Sequence, residues 1–138
     1  MKIKLDPGAY LPERAHEKDA GMDLRACESR VIRPHSAQTV STGVHVQLPS
    51  GTAGILVSKS GLNSNFHVTS TGLIDEGYRG AIRVTLHNDG DIPFIVNEGQ
   101  KISQLVIVPA IYANIEVVDE LDESPDGRGE AGFGSTGV

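Results

Sequence analysis

Short apolar runs rich in β-branched residues alternate with turn-forming residues along most of the chain. Runs of this kind, bounded by Gly, Pro, Asn and Asp, predict β-strands. We expect strands over residues 2–5, 23–26, 31–32, 38–40, 44–48, 54–57, 81–87, 92–96, 102–108 and 115–118. Only residues 58–65 suit a short helical turn. The pattern therefore predicts an all-β sandwich or barrel.

The pattern changes near Asp119. A chain of 138 residues is sized for one domain, and residues 120–138 lack strand periodicity and are rich in acids, glycine and small hydroxyl residues. We therefore expect a β-sandwich core over residues 1–119. The glycine-rich C-terminal arm over residues 120–138 is expected to be mobile until something binds it.

Composition excludes several function classes. The formal net charge of -6 argues against a nucleic-acid-binding protein, because such proteins neutralise phosphates with clustered Lys and Arg. The single cysteine, Cys27, permits no intrachain disulfide, which fits a reducing compartment. No apolar run is long enough for a secretion signal or a membrane helix. We expect a soluble, cytoplasmic protein with no membrane or nucleic-acid partner.

The stretch GLIDEGYRG places Asp75 and Tyr78 three residues apart in a glycine-rimmed turn. Asp75 follows two apolar residues, a position suited to a general base that holds a water molecule. Tyr78 lies among glycines that allow a ligand to approach, so its ring face is available to a sugar or a base. A tight turn between two strands explains the same residues without any chemistry.

The C-terminal arm carries side chains that an inert linker does not need. Arg128 offers a forked donor for phosphate, Phe133 offers a ring for stacking, and Ser135 and Thr136 add hydroxyl donors. Glycines on either side of them expose main-chain N–H groups that can wrap phosphate oxygens. A disordered, linker-like end is the competing interpretation.

Three further segments carry weaker signals. The segment SKSGLN contains Lys59, Ser60 and Gly61 and suits polyphosphate binding, although a helix start with a serine cap explains it equally well. Gln104 shares a predicted strand face with β-branched residues, so its amide needs partners, which are either a ligand or main-chain groups. Asp23 is by default a turn acid, and paired in space with Asp75 it would help to hold a divalent ion through water.

The strings AGMDL, SKSGL, GLIDEGYRG, GQKISQLV and RGEAGFGSTG occur in this order across residues 20–137. Together they resemble the five motifs of the trimeric deoxyuridine triphosphatases (dUTPases). The resemblance implies hydrolysis of dUTP to dUMP and pyrophosphate, which limits uracil in DNA and supplies dUMP for dTMP synthesis. It also implies a homotrimer of jelly-roll-like subunits with an exchanged C-terminal arm that closes over a site at a subunit boundary.

The resemblance assigns roles to individual residues. Asp75 would deprotonate the water that attacks the α-phosphate, and Tyr78 would pack against the deoxyribose. Main-chain groups of a hairpin over residues 69–74 would recognise uracil. Asp23 would bind water around a Mg2+ cofactor. The remaining contacts are Thr69, Gly72, Ile74 and Phe133 with the nucleoside, and Lys59, Ser60, Gly61, Gln104, Arg128, Ser135 and Thr136 with the phosphates.

The chain departs from the family pattern at four positions. Lys59 and Lys101 stand where arginine is common, Gln100 stands where aspartate is common, and Ala131 replaces a frequent glycine. Two other functions stay open at this point: a dCTP deaminase of the same fold, and a non-catalytic module that binds nucleotide or a regulatory partner. No segment resembles the deaminating motif of the first alternative.

Overall fold

The computed structural model describes residues 1–125 together with Gly127 and Gly129. Over these residues the fold is all-β with one short helix, as the sequence pattern predicts. The elements are β1 (Lys2–Leu5), β2 (Gly21–Arg25), β3 (Arg30–Ile32), β4 (Ser36–Ser41), β5 (Val44–Gln47), β6 (Thr52–Val57), α1 (Ser60–Phe66), β7 (Val68–Ile74), β8 (Arg83–Asn88), β9 (Phe94–Val96) and β10 (Lys101–Pro109).

Antiparallel pairing organises the strands into three sheets. Six strands form the main sheet in the order β2-β10-β6-β7-β8-β4, while β1 pairs with β5 and β3 pairs with β9. The long β10 lies between β2 and β6 and pairs with both. Its register against β2 shifts between Lys101 and Ser103, which marks an irregularity of the β-bulge type. The main sheet is thus continuous from the AGMDL segment to the GLIDEGYRG segment.

The core is built from alternate side chains of these strands. In β8, Val84 and Leu86 are fully buried, whereas Arg83 and His87 are exposed. This alternation is what a strand with one face on the core requires. Leu24, Leu105 and Ile102 are also completely buried, so the two strands that carry Asp23 and Gln104 are held firmly by their apolar neighbours.

Strands β7 and β8 form a hairpin that is paired only at its base. Val68–Ser70 of β7 pair with Leu86–Asn88 of β8. Beyond Ser70 the two arms separate, because residues 71–74 pair with β6 while residues 83–85 pair only with β4. The hairpin therefore opens into a cleft, and residues 75–82 connect its two arms.

Two expectations about secondary structure are wrong. Residues 68–74 form β7, for which the apolar pattern predicted no strand, because Gly72 and the small polar residues before it weaken the signal; only the family resemblance implied a hairpin here. Residues 115–118 form no strand in the described part of the chain, although their pattern favours one. Ile115 and Val117 are 94% and 93% exposed, so this segment joins no sheet among the described residues.

Within the described residues, no helix has the length and apolar character needed to cross a membrane.

Candidate active site

Asp23 lies at the centre of a charged cluster on β2 and β10. It is directly opposite Gln104 in the strand register and only 6% exposed. One carboxylate oxygen contacts the Lys59 ammonium, and the other lies 2.6 Å from Lys101 Nζ. Burial raises the pKa of Asp23, but hydrogen bonds from Lys101 and Lys59 outweigh it and lower the pKa below its usual value. The cluster is an ionised carboxylate between two cations.

The Gln104 side chain completes this end of the sheet. Its Nε2 donates to the Ser58 main-chain oxygen at 3.4 Å, so the amide has the main-chain partner that was one of the two alternatives for it. Gly21 leaves room for this amide, because an added Cβ would lie 2.7 Å from Gln104 Oε1 and displace it. The Gln104 amide is consequently held at the surface where Lys59 meets Asp23.

The hydroxyls of Ser58, Ser70 and Ser103 form hydrogen bonds that connect the residues just before Lys59 to β7 and β10. Sequence reasoning missed Ser70 and Ser103. Ser58 Oγ accepts from the Ser70 N–H at 2.8 Å and donates to the Ser70 carbonyl at 2.9 Å. The buried Ser70 and Ser103 hydroxyls lie 2.9 Å apart, and Ser103 also donates to the Val57 carbonyl. Their only sequence signal was small polar residues within apolar strands.

Lys59, Ser60 and Gly61 lie at the start of α1. Lys59 has extended backbone and precedes the helix, and its carbonyl accepts from the N–H groups of Leu62 and Asn63. Ser60 is the first helical residue and is exposed, and no side chain caps the helix. The serine-cap interpretation is therefore wrong. An added Cβ at Gly61 meets no atom within 4 Å, so open space faces this turn.

Asp75 occupies the tip of the open hairpin, immediately after β7. Its side chain is exposed, and within the described part of the chain its carboxylate forms no hydrogen bond or ion pair. Its carbonyl accepts from the Tyr78 N–H at 3.0 Å. Arg79 Nη1 donates to the carbonyls of Glu76 and Tyr78 at 2.6 and 2.8 Å. The turn is therefore closed onto its own carbonyls while the Asp75 carboxylate stays available.

Tyr78 is folded over the same turn. Its hydroxyl donates to the Ala81 carbonyl at 3.0 Å, and the residue is 42% exposed. An added Cβ at Gly80 would lie 2.3 Å from the Tyr78 hydroxyl oxygen. Gly80 is thus what permits the ring to lie in this position, where one face can meet a flat ligand.

The predicted uracil-contacting residues have different surroundings. Thr69 lies in the paired base of the hairpin, opposite His87, whereas Gly72 and Ile74 lie in the separated arm. The Ile74 side chain is buried, so only its main chain can reach a ligand. Successive residues of a strand direct their main-chain groups to alternate edges. Along residues 71–74, the edge away from β6 has no strand partner within the described chain.

A single chain keeps Asp75 away from the charged cluster. The Ser58 hydroxyl bonds fix Ser58 level with Ser70. Asp75 comes five positions after Ser70 along β7, which is roughly 17 Å of extended chain. Asp23 lies at the Ser58 end, across from Gln104. The structure therefore does not pair Asp23 with Asp75 of the same chain.

Sequence reasoning also missed Glu76 and His45, which both hold the Asp75 turn. Glu76 Oε2 accepts from the Gly51 N–H at 2.9 Å and from the Tyr112 hydroxyl at 2.8 Å. His45 Nδ1 lies 2.8 Å from the Arg79 carbonyl oxygen. The only available signal was a second acid beside Asp75, which the turn interpretation absorbed.

The departures from the family pattern have structural partners where they are described. Lys59 and Lys101 share Asp23, as above. Gln100 Oε1 accepts from the Asn97 N–H at 2.9 Å, so this residue stabilises the turn before β10. Ala131 and the predicted arm residues Arg128, Phe133, Ser135 and Thr136 lie outside the described residues.

A large, mainly apolar pocket is in another part of the molecule. It has a volume of about 660 Å³ and lies between the end of α1 and β9, with Phe66, Ile92 and Phe94 among its walls. None of the predicted site residues lines it. Its apolar walls offer little to a triphosphate, so it does not compete with the Asp75 turn and the charged cluster as the nucleotide site.

Comparison with known proteins agrees with this geometry. A family-wide sequence model described as dUTPase matches residues 8–137. The deoxyuridine 5'-triphosphate nucleotidohydrolase of Clostridium acetobutylicum is 43% identical, over 100% of this chain and 97% of that protein. The Staphylococcus bacteriophage 80alpha dUTPase with dUPNHPP superposes with a TM-score of 0.91 at 34% identity, covering 99% of this chain and 98% of that chain.

A second solved structure carries information on a metal ion. A mutant dUTPase from phage phi11 of S. aureus, described as coordinating a structural Mg(II) ion, has a TM-score of 0.80 at 31% identity, over 86% of this chain and 96% of that chain. Agreement over nearly the whole length, in sequence as well as in fold, indicates a nucleotide-hydrolysing enzyme. The chain belongs to the dUTPase family.

Proposed function

We propose that this enzyme hydrolyses dUTP to dUMP and pyrophosphate at sites that are completed where copies of the chain meet. The observation that carries the proposal is the separation of Asp75 from the charged cluster of Asp23, Lys59 and Lys101 along β7. Base and phosphate-binding groups must meet around one α-phosphate. Since one chain holds them at opposite ends of its sheet, a neighbouring copy has to supply one of the two sets.

Asp75 is the general base in this proposal. An exposed carboxylate with no partner of its own in the described chain is free to accept a hydrogen bond from water. The backbone bonds of the turn set its shape, and a positioned base contributes roughly 10²- to 10⁴-fold to rate. Asp75 takes the proton as the water oxygen attacks the α-phosphorus, and pyrophosphate leaves.

The open hairpin is the proposed nucleoside site. Uracil presents an amide-like edge, which suits the main-chain groups of residues 71–74 that have no strand partner on one side. Tyr78 lies at the mouth of the same cleft and would pack against the deoxyribose. Phe133 of the arm is proposed to stack on the base.

The charged cluster is the proposed phosphate site. Lys59, Ser60 and Gly61 lie at the start of α1, and the Gln104 amide bonds to the Ser58 carbonyl beside them. These four residues would contact the triphosphate. Arg128, Ser135 and Thr136 of the arm are proposed to close over the outer phosphates. Such positioned cations offset the charge that develops on transferring and leaving oxygens.

Mg2+ fits this site through a layer of water. Asp23 is a carboxylate of the kind Mg2+ prefers, but both of its oxygens contact lysines, so it is suited to hold water around the ion. Mg2+ commonly keeps several waters when it binds nucleotide phosphates. When bound, it would neutralise charge on the triphosphate, while Lys59 and Lys101 orient the Asp23 carboxylate.

The assembly we propose is a homotrimer in which the C-terminal arm of one copy closes over a site shared by two others. The exposed apolar side chains Ile111, Ile115 and Val117 support it, because they precede the arm and none of the described residues covers them. We also propose a cytoplasmic location, which fits the single cysteine.

Substitution of Asp75 by Asn tests the proposal directly. The amide keeps the size of the side chain but accepts protons far less readily, so we expect turnover to fall by at least about 10²-fold, with dUTP binding retained. Pyrophosphate release and calorimetric binding of dUTP measure the two quantities. Near-normal turnover would exclude Asp75 as the base, and ammonia release from dCTP by the unaltered enzyme would favour a deaminase.

A further inference from the structure

Glu76, the residue after the proposed base, connects three parts of the chain. Its carboxylate accepts hydrogen bonds from the Gly51 N–H and from the Tyr112 hydroxyl. Gly51 belongs to the turn between β5 and β6, and Tyr112 follows the end of β10. We propose that Glu76 is a positioning residue, which holds Asp75 in its working orientation by tying the Asp75 turn to the segment that leads into the arm.

The backbone of the turn does not by itself fix this orientation. The bonds from Arg79 and Tyr78 close the turn onto its own carbonyls, so they set its shape but not its position on the sheet. Two side chains connect the turn to elements outside it: the His45 ring contacts the Arg79 carbonyl at the far end of the turn, and Glu76, next to Asp75, bonds to Gly51 and Tyr112. Because Asp75 is the adjacent residue, a rotation of the turn about the end of β7 would move its carboxylate directly.

The electrostatics of the three groups agree with this arrangement. The pKa of Glu76 is lowered, first by the hydrogen bond from the Gly51 N–H and then by those from Tyr112 and Ser50. The pKa of the Tyr112 phenol is raised, first by its bond to Glu76, and the charge of Asp75 adds to the effect. Tyr112 therefore donates to an ionised carboxylate and lies within electrostatic reach of the base.

Tyr112 gives the contact a role beyond local order. It follows Ile111, which is almost fully exposed, and it comes three residues before the exposed Ile115. The chain from Tyr112 onward leads to the arm that is proposed to close on the substrate of another copy. Glu76 thus connects Asp75, the proposed general base of one site, with the segment that precedes the arm, which is proposed to close over a different site.

This inference rests on the proposed role of Asp75, and its test is the pair Glu76→Ala and Glu76→Gln. Alanine removes the acceptor, and we expect kcat to fall roughly tenfold, less than the 10²-fold that follows a misplacement of about 1 Å. KM should change by less than about twofold. Glutamine retains an oxygen that can accept both bonds, so kcat should return to within about twofold of the unaltered enzyme.

Tyr112→Phe removes the second bond while retaining the ring. We expect kcat to fall about threefold, by the loss of one hydrogen bond of modest net strength. Tyr10→Phe is the matched control, because it removes a hydroxyl near Gly99, away from Glu76, and it should leave kcat unchanged. Thermal unfolding of each variant separates loss of activity from loss of fold.

The outcomes separate the two proposals. An unchanged kcat in Glu76→Ala overturns the positioning role, and so does an equal loss in the alanine and glutamine variants. A lower melting temperature with normal kcat shows a purely structural contact and also overturns it. Asp75→Asn is measured in parallel, because normal turnover there defeats the base assignment whatever the Glu76 variants do.

Discussion

Lys59 and Lys101 contact the same carboxylate, so the two positions where the chain has lysine instead of arginine act together. An ammonium group is a compact charge on a flexible stem, whereas guanidinium offers a planar fork. Each of the two lysines contacts one Asp23 oxygen as a point charge. Neither holds the carboxylate in a planar two-pronged contact, so either ammonium can turn to a phosphate without breaking one. The departures thus alter how the phosphate site is oriented and leave its positive charge in place.

His45 gives the Asp75 turn a dependence on pH. Its two ring nitrogens contact the Arg79 carbonyl and the Asp6 carboxylate, at 2.8 and 3.1 Å. The pKa of His45 is raised, first by the Arg79 carbonyl and then by Asp6, while Lys4 opposes the shift. Only the protonated ring donates to both acceptors.

The raised pKa fixes the sign of the pH effect. The contribution of His45 to the free energy of unfolding is fully present below its unfolded pKa of about 6.5 and is lost as pH rises through the higher folded value. In urea titrations across this range, His45→Gln should therefore lose less stability than the unaltered enzyme. His16→Gln, at an exposed site, should show the same change in the free energy of unfolding with pH as the unaltered enzyme. An equal change in all three proteins would refute the contribution of His45.

At the scale of elements, the separated hairpin is the feature on which the proposed nucleoside site depends. Its base is closed by pairing at Val68–Ser70, and its arms are drawn apart because β6 and β4 each take one of them. The position of Asp75 in a turn after two apolar residues was predictable from the sequence. The separation was not, because it depends on pairings with strands that are distant in sequence.

Gly80→Ala tests whether the Tyr78 ring is placed by the glycine beneath it. The added methyl would lie 2.3 Å from the Tyr78 hydroxyl oxygen, so the exposed ring must move. We expect KM for dUTP to rise about tenfold, equivalent to about 1.4 kcal/mol of binding, with little change in melting temperature. Gly77→Ala is the control, because a Cβ there meets nothing within 4 Å. Equal KM values in the two variants would contradict the role of Gly80.

At the scale of the whole molecule, the order of short motifs along the sequence was enough to predict the family and the fold. It was not enough to predict which residues meet. A spatial pairing of Asp23 with Asp75 was one of two interpretations of Asp23, and within one chain the two residues occupy different ends of the sheet, because β7 runs away from the Ser58 turn. Glu76 and Ser70 were missed for the same reason: their partners are remote in sequence and are brought near only by strand order.

The exposed apolar segment after β10 predicts the state of assembly. Ile115 and Val117 would each gain about 1.5–3 kcal/mol from burial against another copy, and an aspartate in that place would forfeit it. Ile115→Asp should therefore shift the mass from that of the proposed trimer, three times 14.6 kDa, towards the mass of a single chain. Activity should fall in proportion. Light scattering after size-exclusion chromatography measures the mass.

Glu116→Gln is the control for this substitution, because it changes the intervening polar residue and should leave the mass unaltered. An Ile115→Asp protein that keeps the mass and activity of the original would show that this segment does not join the copies.

The distance between Asp75 and the lysine cluster has a genetic consequence. In the proposed trimer, a copy that lacks a working Asp75 still contributes an intact lysine cluster to the site it shares with its neighbour. Two defective alleles, one lacking the carboxylate and the other lacking the cations, would therefore complement each other when co-expressed. For the same reason, one defective subunit in a mixed trimer would inactivate sites to which intact subunits also contribute.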